Sequence, residues 1–202
     1  MDTKNLSPKE IELLNRITTV GAQKAALVLT KMTGINIDVS FPEMSVMDVE
    51  NFFQSEETEN RIVGFVFCRF SGEVDGFAGL LLSEESVLKV LKSFYGKEVP
   101  SIDQMDDIDY SGVKEVGNII IASFLNALSN TYGITAMPTV PDVAIDYSTS
   151  IFQEFSLMLL NENKDNLVSF KTQLITQRGE KVIFGTLLIL FDPDQTIPGI
   201  LR

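Results

Sequence analysis

The sequence predicts an α+β protein in which two long helices pack on an antiparallel β-sheet, and in which the second half of the chain repeats the first. Three observations predict this: two stretches with apolar residues at helical spacing, several alternating stretches, and a constant offset of 99 residues between matching positions. The 202 residues, 45% of them hydrophobic, suffice for one domain with a real core. We therefore expect a single domain, 1–202, with pseudo-two-fold halves at about 1–100 and 101–202.

The first long helix is expected close to the N-terminus. Ser7 is a suitable N-cap, and apolar residues recur at helical spacing as far as about Met32. Gly34 then ends the helix, because glycine readily adopts the left-handed conformation found there. A strand is expected over residues 35–40, and it should stop before Pro42.

The remaining elements follow in order. Strands are expected at 61–70 and 74–82, and Ser83 then caps a helix that reaches about Tyr95. A second long helix follows and ends at Gly133. Another strand is expected to begin at Ile134 and to end near Pro138–Pro141. The remainder is predicted to be mostly strand, over residues 142–148, 152–160, 167–176 and 181–191, with a short helical turn after residue 194.

An internal repeat is indicated by ungapped identities at the offset of 99. Each pair lies at or after the end of a long helix: Gly34 and Gly133, Ile35 and Ile134, Pro42 and Pro141. The common offset favours duplication over chance. The two halves need each other, since one helix on a few strands would leave an apolar face in water.

The composition excludes several classes of function. The chain has no histidine, which excludes Ser-His-Asp and Cys-His catalysis, histidine phosphotransfer and histidine-ligated zinc. Sixteen basic and 28 acidic side chains give a net charge of −12, which argues against nucleic acid and anionic membrane as partners. Cys68 is alone and is expected to be a small buried apolar residue. Without a signal peptide or a long apolar run, we expect a cytoplasmic protein with no membrane insertion.

The acidic segment before the second long helix admits two interpretations. It contains four aspartates, Asp103, Asp106, Asp107 and Asp109. Such carboxylates can bind Ca²⁺ or Mg²⁺. More often a run of this kind is a solvated loop that leads into a helix N-terminus, where negative charge is favourable, and we favour this second interpretation.

A polar stripe on the second long helix is the best candidate for a functional site. Ser111, Glu115 and Asn118 fall within a sector of about 60° at roughly 100° per residue. The stripe is either the solvated face of an amphipathic helix or a site. A Gly117–Asn118 pair in mid-helix costs about 1.5 kcal/mol relative to good helix formers, which favours a site. The returning strand, if antiparallel to the helix, would bring Pro141 beside this stripe as a rigid rim.

These residues resemble the motif of a known family. Ser/Asp-x3-Glu-x2-Asn-x22-Pro is the pattern of the CheC/CheX/FliY phosphatases of bacterial and archaeal chemotaxis, and it is complete here as Ser111, Glu115, Asn118 and Pro141. The surrounding KEVGNIIIASFLNALS is similar to the family's helix, and the resemblance covers about residues 7–202. Length and duplication resemble the CheC branch, since a CheX is shorter and a FliY carries an additional motor domain.

The first copy of the motif departs from this pattern. Only Pro42 is kept, and the other three positions hold Glu12, Arg16 and Thr19. Arginine reverses the charge offered to a partner, and threonine lacks the amide. We interpret this copy as a lapsed or repurposed site, in which an i,i+4 pair between Glu12 and Arg16 could form.

The resemblance implies a substrate, an aspartyl phosphate on a CheY-type receiver protein. Such a receiver supplies the acceptor carboxylate, a Mg²⁺ ion and a lysine, so no cofactor is expected in this chain. By resemblance, Asn118 would orient the attacking water, Glu115 would pair with the receiver's lysine, and Ser111 would support the helix edge.

The resemblance also implies a second partner. CheC proteins commonly associate with CheD, a receptor deamidase, through the segment after the second active-site proline, which makes Asp146 a candidate contact. The alternative is an ordinary surface aspartate. Three functions stay open. The protein is a receiver phosphatase, a binding module that docks the receiver or CheD without hydrolysis, or a flagellar-switch component related to FliY. The end of the chain at Arg202 argues against the third.

Overall fold

The computed structural model describes residues 8–48, 60–160, 166–176 and 181–191. These residues form four α-helices and a seven-stranded sheet, in agreement with the predicted α+β class. The helices are α1 (Pro8–Thr33), α2 (Glu84–Tyr95), α3 (Asp107–Tyr132) and α4 (Ser148–Leu160). The strands are β1 (Ile37–Asp48), β2 (Ile62–Gly72), β3 (Gly76–Ser83), β4 (Ala136–Pro138), β5 (Asp142–Tyr147), β6 (Asn166–Thr176) and β7 (Lys181–Phe191). Of the helices described, none has the length and hydropathy that crossing a bilayer requires.

The sheet is antiparallel at every described strand pair, as predicted. Its order is β1-β6-β7-β3-β2, with β4 and β5 both paired to β2 at the far edge. β3 and β7 form the central pair. The strand that follows α1 therefore pairs with β6 from the second half, and the strands that follow α3 pair with β2 from the first half. The two halves of the chain are interlocked through the sheet.

Both faces of the sheet are covered, which gives three layers. Side chains alternate along β2, so that Val66 and Phe70 point to one face and Val63 and Phe65 to the other. The first face packs under α1, α2 and α3, and the second packs under α4. Cys68 is buried on the first face, as predicted, and this burial raises the pKa of its thiol to about 11.

The predicted strand over residues 152–160 is wrong, because this segment forms α4. Its buried residues are Ile151, Phe152, Phe155 and Leu159, a helical spacing. The Phe155 ring lies edge-on to Phe65 and Phe77, at centroid distances of 5.1 and 5.8 Å. A short apolar run does not distinguish a buried helix from a buried strand, and the sheet face that α4 covers decides between them.

The strand predicted to stop before Pro42 instead continues through it. β1 extends to Asp48, and its pairing with β6 shifts register between Ser40 and Glu43. Proline is tolerated in a sheet where the ladder is interrupted in this way, because it has no N–H to contribute. At Pro42, where the sequence predicted the end of the strand, β1 therefore has a shift of register and continues.

The predicted helix ends are confirmed where the structure describes them. The Ser83 hydroxyl accepts a hydrogen bond from the Ser86 backbone N–H at 3.2 Å, at the start of α2. Gly34 and Gly133, which follow α1 and α3, have φ values of 71° and 66°, in the left-handed region that favours glycine. Ser7 and the turn predicted after Asp194 lie outside the described residues.

The two long helices match at the offset found in the sequence. Each has 26 residues, and their first and last positions differ by 99 (107 − 8 and 132 − 33). At the same offset, β1 corresponds to residues 136–147, which contain β4 and β5. Pro42 lies at the register shift of β1, and Pro141 lies in the gap between β4 and β5.

Candidate functional site

α3 begins with a capping box built from the acidic segment. Asp106 Oδ1 accepts hydrogen bonds from the backbone N–H groups of Ile108 and Asp109, each at 3.0 Å, and Asp109 Oδ2 accepts one from the Asp106 N–H at 3.0 Å. Lys97 Nζ donates to both carboxylates at 2.8 Å. The hydrogen bond from Lys97 lowers the pKa of Asp106, and the bonds to Asp106 and Asp109 raise the pKa of Lys97.

The favoured interpretation of the aspartates as a lead into a helix N-terminus is thus confirmed, but the expectation that they are solvated is wrong for Asp109. Two of the four carboxylates cap the helix and bind Lys97, and Asp109 is buried there with 2% of its surface exposed. Within the described ranges, no group of three or more His, Cys, Asp or Glu side chains is arranged to hold a metal ion.

The predicted polar stripe of α3 faces solvent. Ser111 and Glu115 are exposed and Asn118 is half-buried, whereas Val113 and Val116 are fully buried. The Ser111 hydroxyl donates to the Asp107 carbonyl oxygen at 2.8 Å, within the helix edge. Neither the Glu115 carboxylate nor the Asn118 carboxamide is hydrogen-bonded to another described residue. An external ligand can therefore bind both groups without breaking a hydrogen bond to any part of the chain that the structure describes.

Gly117 has a packing role that the sequence did not reveal. A Cβ at this position would lie 2.6 Å from Val66 Cβ, closer than real Cβ atoms approach. Glycine thus lets α3 lie directly on β2. The sequence predicted a site from the mid-helix pair Gly117–Asn118, and this inference is wrong for Gly117, whose presence is explained by packing on Val66. Packing does not explain Asn118.

Pro141 lies near the level of Asn118 along the sheet. Gly117 sits against Val66, which pairs with Val143 on β5, two residues beyond Pro141. Two strand residues span about 7 Å. The Pro141 side chain is buried, so any contact that it makes with a partner is small, and its role as a rigid rim stays a prediction. A buried Pro141 can fix the shape of the chain just before β5, but it offers little surface area for contact with a partner.

Tyr95, at the end of α2, is a neighbour of the stripe that the sequence analysis missed. Its hydroxyl donates to the Gly112 carbonyl oxygen at 3.2 Å, and a Cβ at Gly112 would lie 2.9 Å from Tyr95 Cε2. The ring therefore lies against α3 where a side chain is missing. Burial and the nearby Glu115 carboxylate raise the pKa of Tyr95. In the sequence, the signal for this contact was Gly112, a glycine inside a predicted helix.

Ile108 is a second residue that the sequence analysis missed. It is 76% exposed in the first turn of α3. Seven residues at about 100° each return nearly to the starting direction, so Ile108 and Glu115 share one face. An apolar residue on an otherwise polar stripe was the signal in the sequence.

The first copy of the motif lies on α1, which packs against α3. Glu12 and Arg16 are exposed and Thr19 is half-buried. Both charged side chains are described, and no ion pair joins them, so the predicted i,i+4 pair is absent. A Cβ at Gly21 would lie 2.9 Å from Phe124 Cα, which shows how closely the two long helices approach. The side chain of Pro42 lies outside the described residues.

Asp146 is exposed on β5, at the edge of the sheet that carries β4 and β5. Its Oδ1 accepts a hydrogen bond from the Tyr147 backbone N–H at 2.6 Å. The carboxylate is therefore accessible, and one of its oxygens already has a partner.

Comparison with known proteins relates the chain to chemotaxis proteins, although no family model matches it. It is 20% identical to the CheY-P phosphatase CheC of Bacillus subtilis over 191 residues, which cover 94% of this chain and 91% of that protein. A CheC1 protein of Halobacterium salinarum is 22% identical over 135 residues, 67% of this chain and 68% of that one.

Solved structures share the fold. Thermotoga maritima FliY superposes with a TM-score of 0.70 at 19% identity, over 91% of both chains. A chain of the FliG–FliM complex from H. pylori gives a TM-score of 0.64 at 10% identity, over 92% of this chain and 94% of that one. The chain is therefore similar in sequence to proteins named CheC and shares its fold with FliY and with a chain of the FliG–FliM complex.

Proposed function

We propose that this protein is a phosphatase that hydrolyses the aspartyl phosphate of a CheY-type response regulator. One observation carries the proposal: Glu115 and Asn118 lie about one helical turn apart on the solvent-facing stripe of α3, with no internal partner among the described residues. The same chain is similar over most of its length to a named CheY-P phosphatase. The residues that match the family's motif are thus available to another molecule.

The chemistry asked of Asn118 is positioning. A water oxygen attacks phosphorus, the bond from phosphorus to the aspartyl oxygen breaks, and the products are dihydrogen phosphate and the free carboxylate. Phosphoryl transfer depends mainly on alignment and charge stabilisation. The Asn118 carboxamide can accept a hydrogen bond from the water and donate one to the phosphoryl group, so it aligns both without gaining or losing a proton.

The role proposed for Glu115 is docking. Its exposed carboxylate can form a charge-assisted hydrogen bond with the lysine beside the receiver's phosphoryl group. The protein carries a net charge of −12, and the receiver's phosphorylated pocket is also acidic, so long-range attraction adds little. We expect a modest association rate with a weak dependence on salt.

The proposal assigns activity to one half of a duplicated chain. The duplication is inferred from the equal lengths and the common offset of α1 and α3, and from the interlocked strand pairing of the two halves. The second copy holds the complete motif. In the first copy Glu12, Arg16 and Thr19 offer neither the carboxylate nor the amide at the matching positions, so we propose one working site per chain.

The partners and the location follow from the same proposal. The phosphorylated receiver provides its own Mg²⁺, and this chain is proposed to need no cofactor. A contact with CheD through the exposed Asp146 and its neighbours is proposed by resemblance to the family. A protein that acts on a response regulator belongs in the cytoplasm.

A non-catalytic adaptor is the alternative. Its support is the degenerate first copy and the fold shared with a chain of the FliG–FliM complex, which is a protein assembly. An adaptor would use the same stripe to hold the phosphorylated receiver, or to hold CheD, without hydrolysis. It predicts binding of the phosphorylated receiver with no acceleration of phosphate loss.

The test is the rate of phosphate loss from a CheY-type receiver of the same organism. The proposal predicts acceleration by the wild-type protein and loss of both acceleration and binding in Glu115→Lys. The matched control is Glu154→Lys, the same charge change at an exposed residue of α4 on the other side of the sheet, which should retain full activity. Equal activity of the two variants would reject the role of Glu115, and binding without any acceleration would favour the adaptor.

A further inference from the structure

An aromatic and an aliphatic side chain flank Glu115 on the side away from Asn118. Tyr95 is 45% exposed and Ile108 is 76% exposed, both large values for apolar side chains. Viewed down α3 at about 100° per residue, Gly112 lies about 60° from Glu115 in one direction, and Asn118 lies about 60° in the other. Because the Tyr95 ring rests on Gly112, it borders Glu115 opposite Asn118.

Tyr95 is held in this position by two contacts. Its hydroxyl donates to the Gly112 carbonyl oxygen at 3.2 Å, and the missing side chain at Gly112 leaves room for the ring. The ring is close enough to Glu115 for the carboxylate charge to raise the pKa of its hydroxyl. Tyr95 is thus a rigid side chain whose placement costs little further entropy on binding.

We propose that Tyr95 and Ile108 form an apolar rim that contacts the receiver and excludes water from the ion pair between Glu115 and the receiver's lysine. This inference rests on the proposed function and adds two recognition residues to it. A ring of apolar contacts that keeps water from a central polar pair is typical of strong protein interfaces. Exclusion of water lowers the local dielectric and strengthens the enclosed pair.

The rim defines the chemistry of the partner surface. Ile108 and Glu115 share one face of α3, about 10 Å apart along the helix axis, so a partner surface of ordinary size that reaches the carboxylate can also cover the isoleucine. Asp107 is exposed beside it, which disfavours an acidic surface at this point. The structure therefore fits a receiver face that presents a lysine flanked by apolar side chains.

The experiment measures binding of the receiver in its beryllofluoride- and Mg²⁺-bound form, which mimics the phosphorylated state. Ile108→Ala and Tyr95→Ala are each expected to weaken binding about fivefold to tenfold and to raise the half-saturating receiver concentration for dephosphorylation by the same factor. Tyr95→Phe keeps the ring and should bind within about twofold of wild type. In Tyr95→Ala, affinity should fall more steeply with added salt, because water then screens the Glu115 pair.

Leu157→Ala is the matched control for Ile108→Ala. Leu157 is 64% exposed on α4, across the sheet from the stripe, so its truncation should not change binding. Thermal melts of all variants separate lost contacts from lost folding. If both Ile108→Ala and Tyr95→Ala bind the receiver with wild-type affinity, the proposed role of the apolar rim is wrong, and the phosphatase proposal is unaffected. Binding by wild type without faster phosphate loss would reject the phosphatase alone, and no binding at all would reject both.

Discussion

Replacement of Gly117 by alanine tests the close packing that sets the height of the candidate site above the sheet. The added Cβ would lie 2.6, 2.7 and 2.7 Å from Val66 Cβ, Cγ1 and Cγ2, whereas ordinary contacts lie at 3.4–4 Å. Relief requires a movement of 0.8–1.4 Å (3.4 − 2.6 and 4 − 2.6). Val66 is fully buried, so α3 must move instead, and Asn118 moves with it.

The expected magnitude follows from two opposing contributions. Overpacking of a core costs about 1–3 kcal/mol, and three close contacts with a buried side chain suggest the upper end of that range. Alanine in place of glycine stabilises a helix by about 1 kcal/mol. The net loss is therefore about 2 kcal/mol, or a decrease of about 4–8 °C in Tm for a chain of this size.

Gly112→Ala is the matched control, since it gives the same helix-propensity gain in the same helix. Its new Cβ would meet the end of the Tyr95 ring at 2.9 Å, and displacement of that ring costs one hydrogen bond, about 1 kcal/mol, which the gain in helix propensity offsets. Urea denaturation should place Gly112→Ala near wild type and Gly117→Ala about 2 kcal/mol lower. The combination of Gly117→Ala with Val66→Ala should cost less than the sum of the two single changes. A Gly117→Ala protein as stable as Gly112→Ala would refute the packing account.

Three further predictions concern stability and reactivity. Phe155→Ala should destabilise the protein by about 3–5 kcal/mol in urea, because it removes the side chain that packs on Phe65 and Phe77; a loss below 1 kcal/mol would contradict the placement of α4. Lys97→Met should lower Tm at pH 7, and its gap to wild type should close in acid. Because Lys97 lowers the pKa of Asp106 in the folded protein, their pairing stabilises the fold at pH values above the ordinary aspartate pKa of about 3.9. This stabilisation is lost as the pH falls through the folded-state pKa. A Tm difference between Lys97→Met and wild type that does not depend on pH would refute this. Cys68, with a thiol pKa of about 11, should react with a thiol reagent at pH 8 only after unfolding, and rapid labelling of the folded protein would show that it is accessible.

Local signals in the sequence were sufficient to predict most helix ends and strands. Capping by Ser83 and the glycine at residue 133 have short-range causes, namely a side-chain oxygen near a backbone N–H and a positive φ. The exposed face of α3 was predictable for the same reason, since helical periodicity alone separates Glu115 from Val116.

Features that depend on contacts between distant segments were not predictable. The helical state of α4 is determined by the apolar sheet face beneath it, and the register shift of β1 near Pro42 requires its partner strand β6. Tyr95 and Gly112 are 17 residues apart, and neither predicts their contact without the packing of α2 on α3. The burial of Pro141 likewise depends on the whole corner between β4 and β5.

The most direct measurement is a single-turnover assay of phosphate release, with the protein in excess over the phosphorylated receiver, for wild type, Asn118→Ala and Asn126→Ala. Asn126 is an exposed asparagine that lies about 20° from Glu115 around α3 and eight residues, or about 12 Å, beyond Asn118 along it. The account predicts a loss of about 10²-fold or more in the bound-state rate for Asn118→Ala, similar to the loss of a positioned hydrogen-bond donor elsewhere, and an unchanged rate for Asn126→Ala. Equal rates for wild type and Asn118→Ala with the receiver fully bound would contradict it.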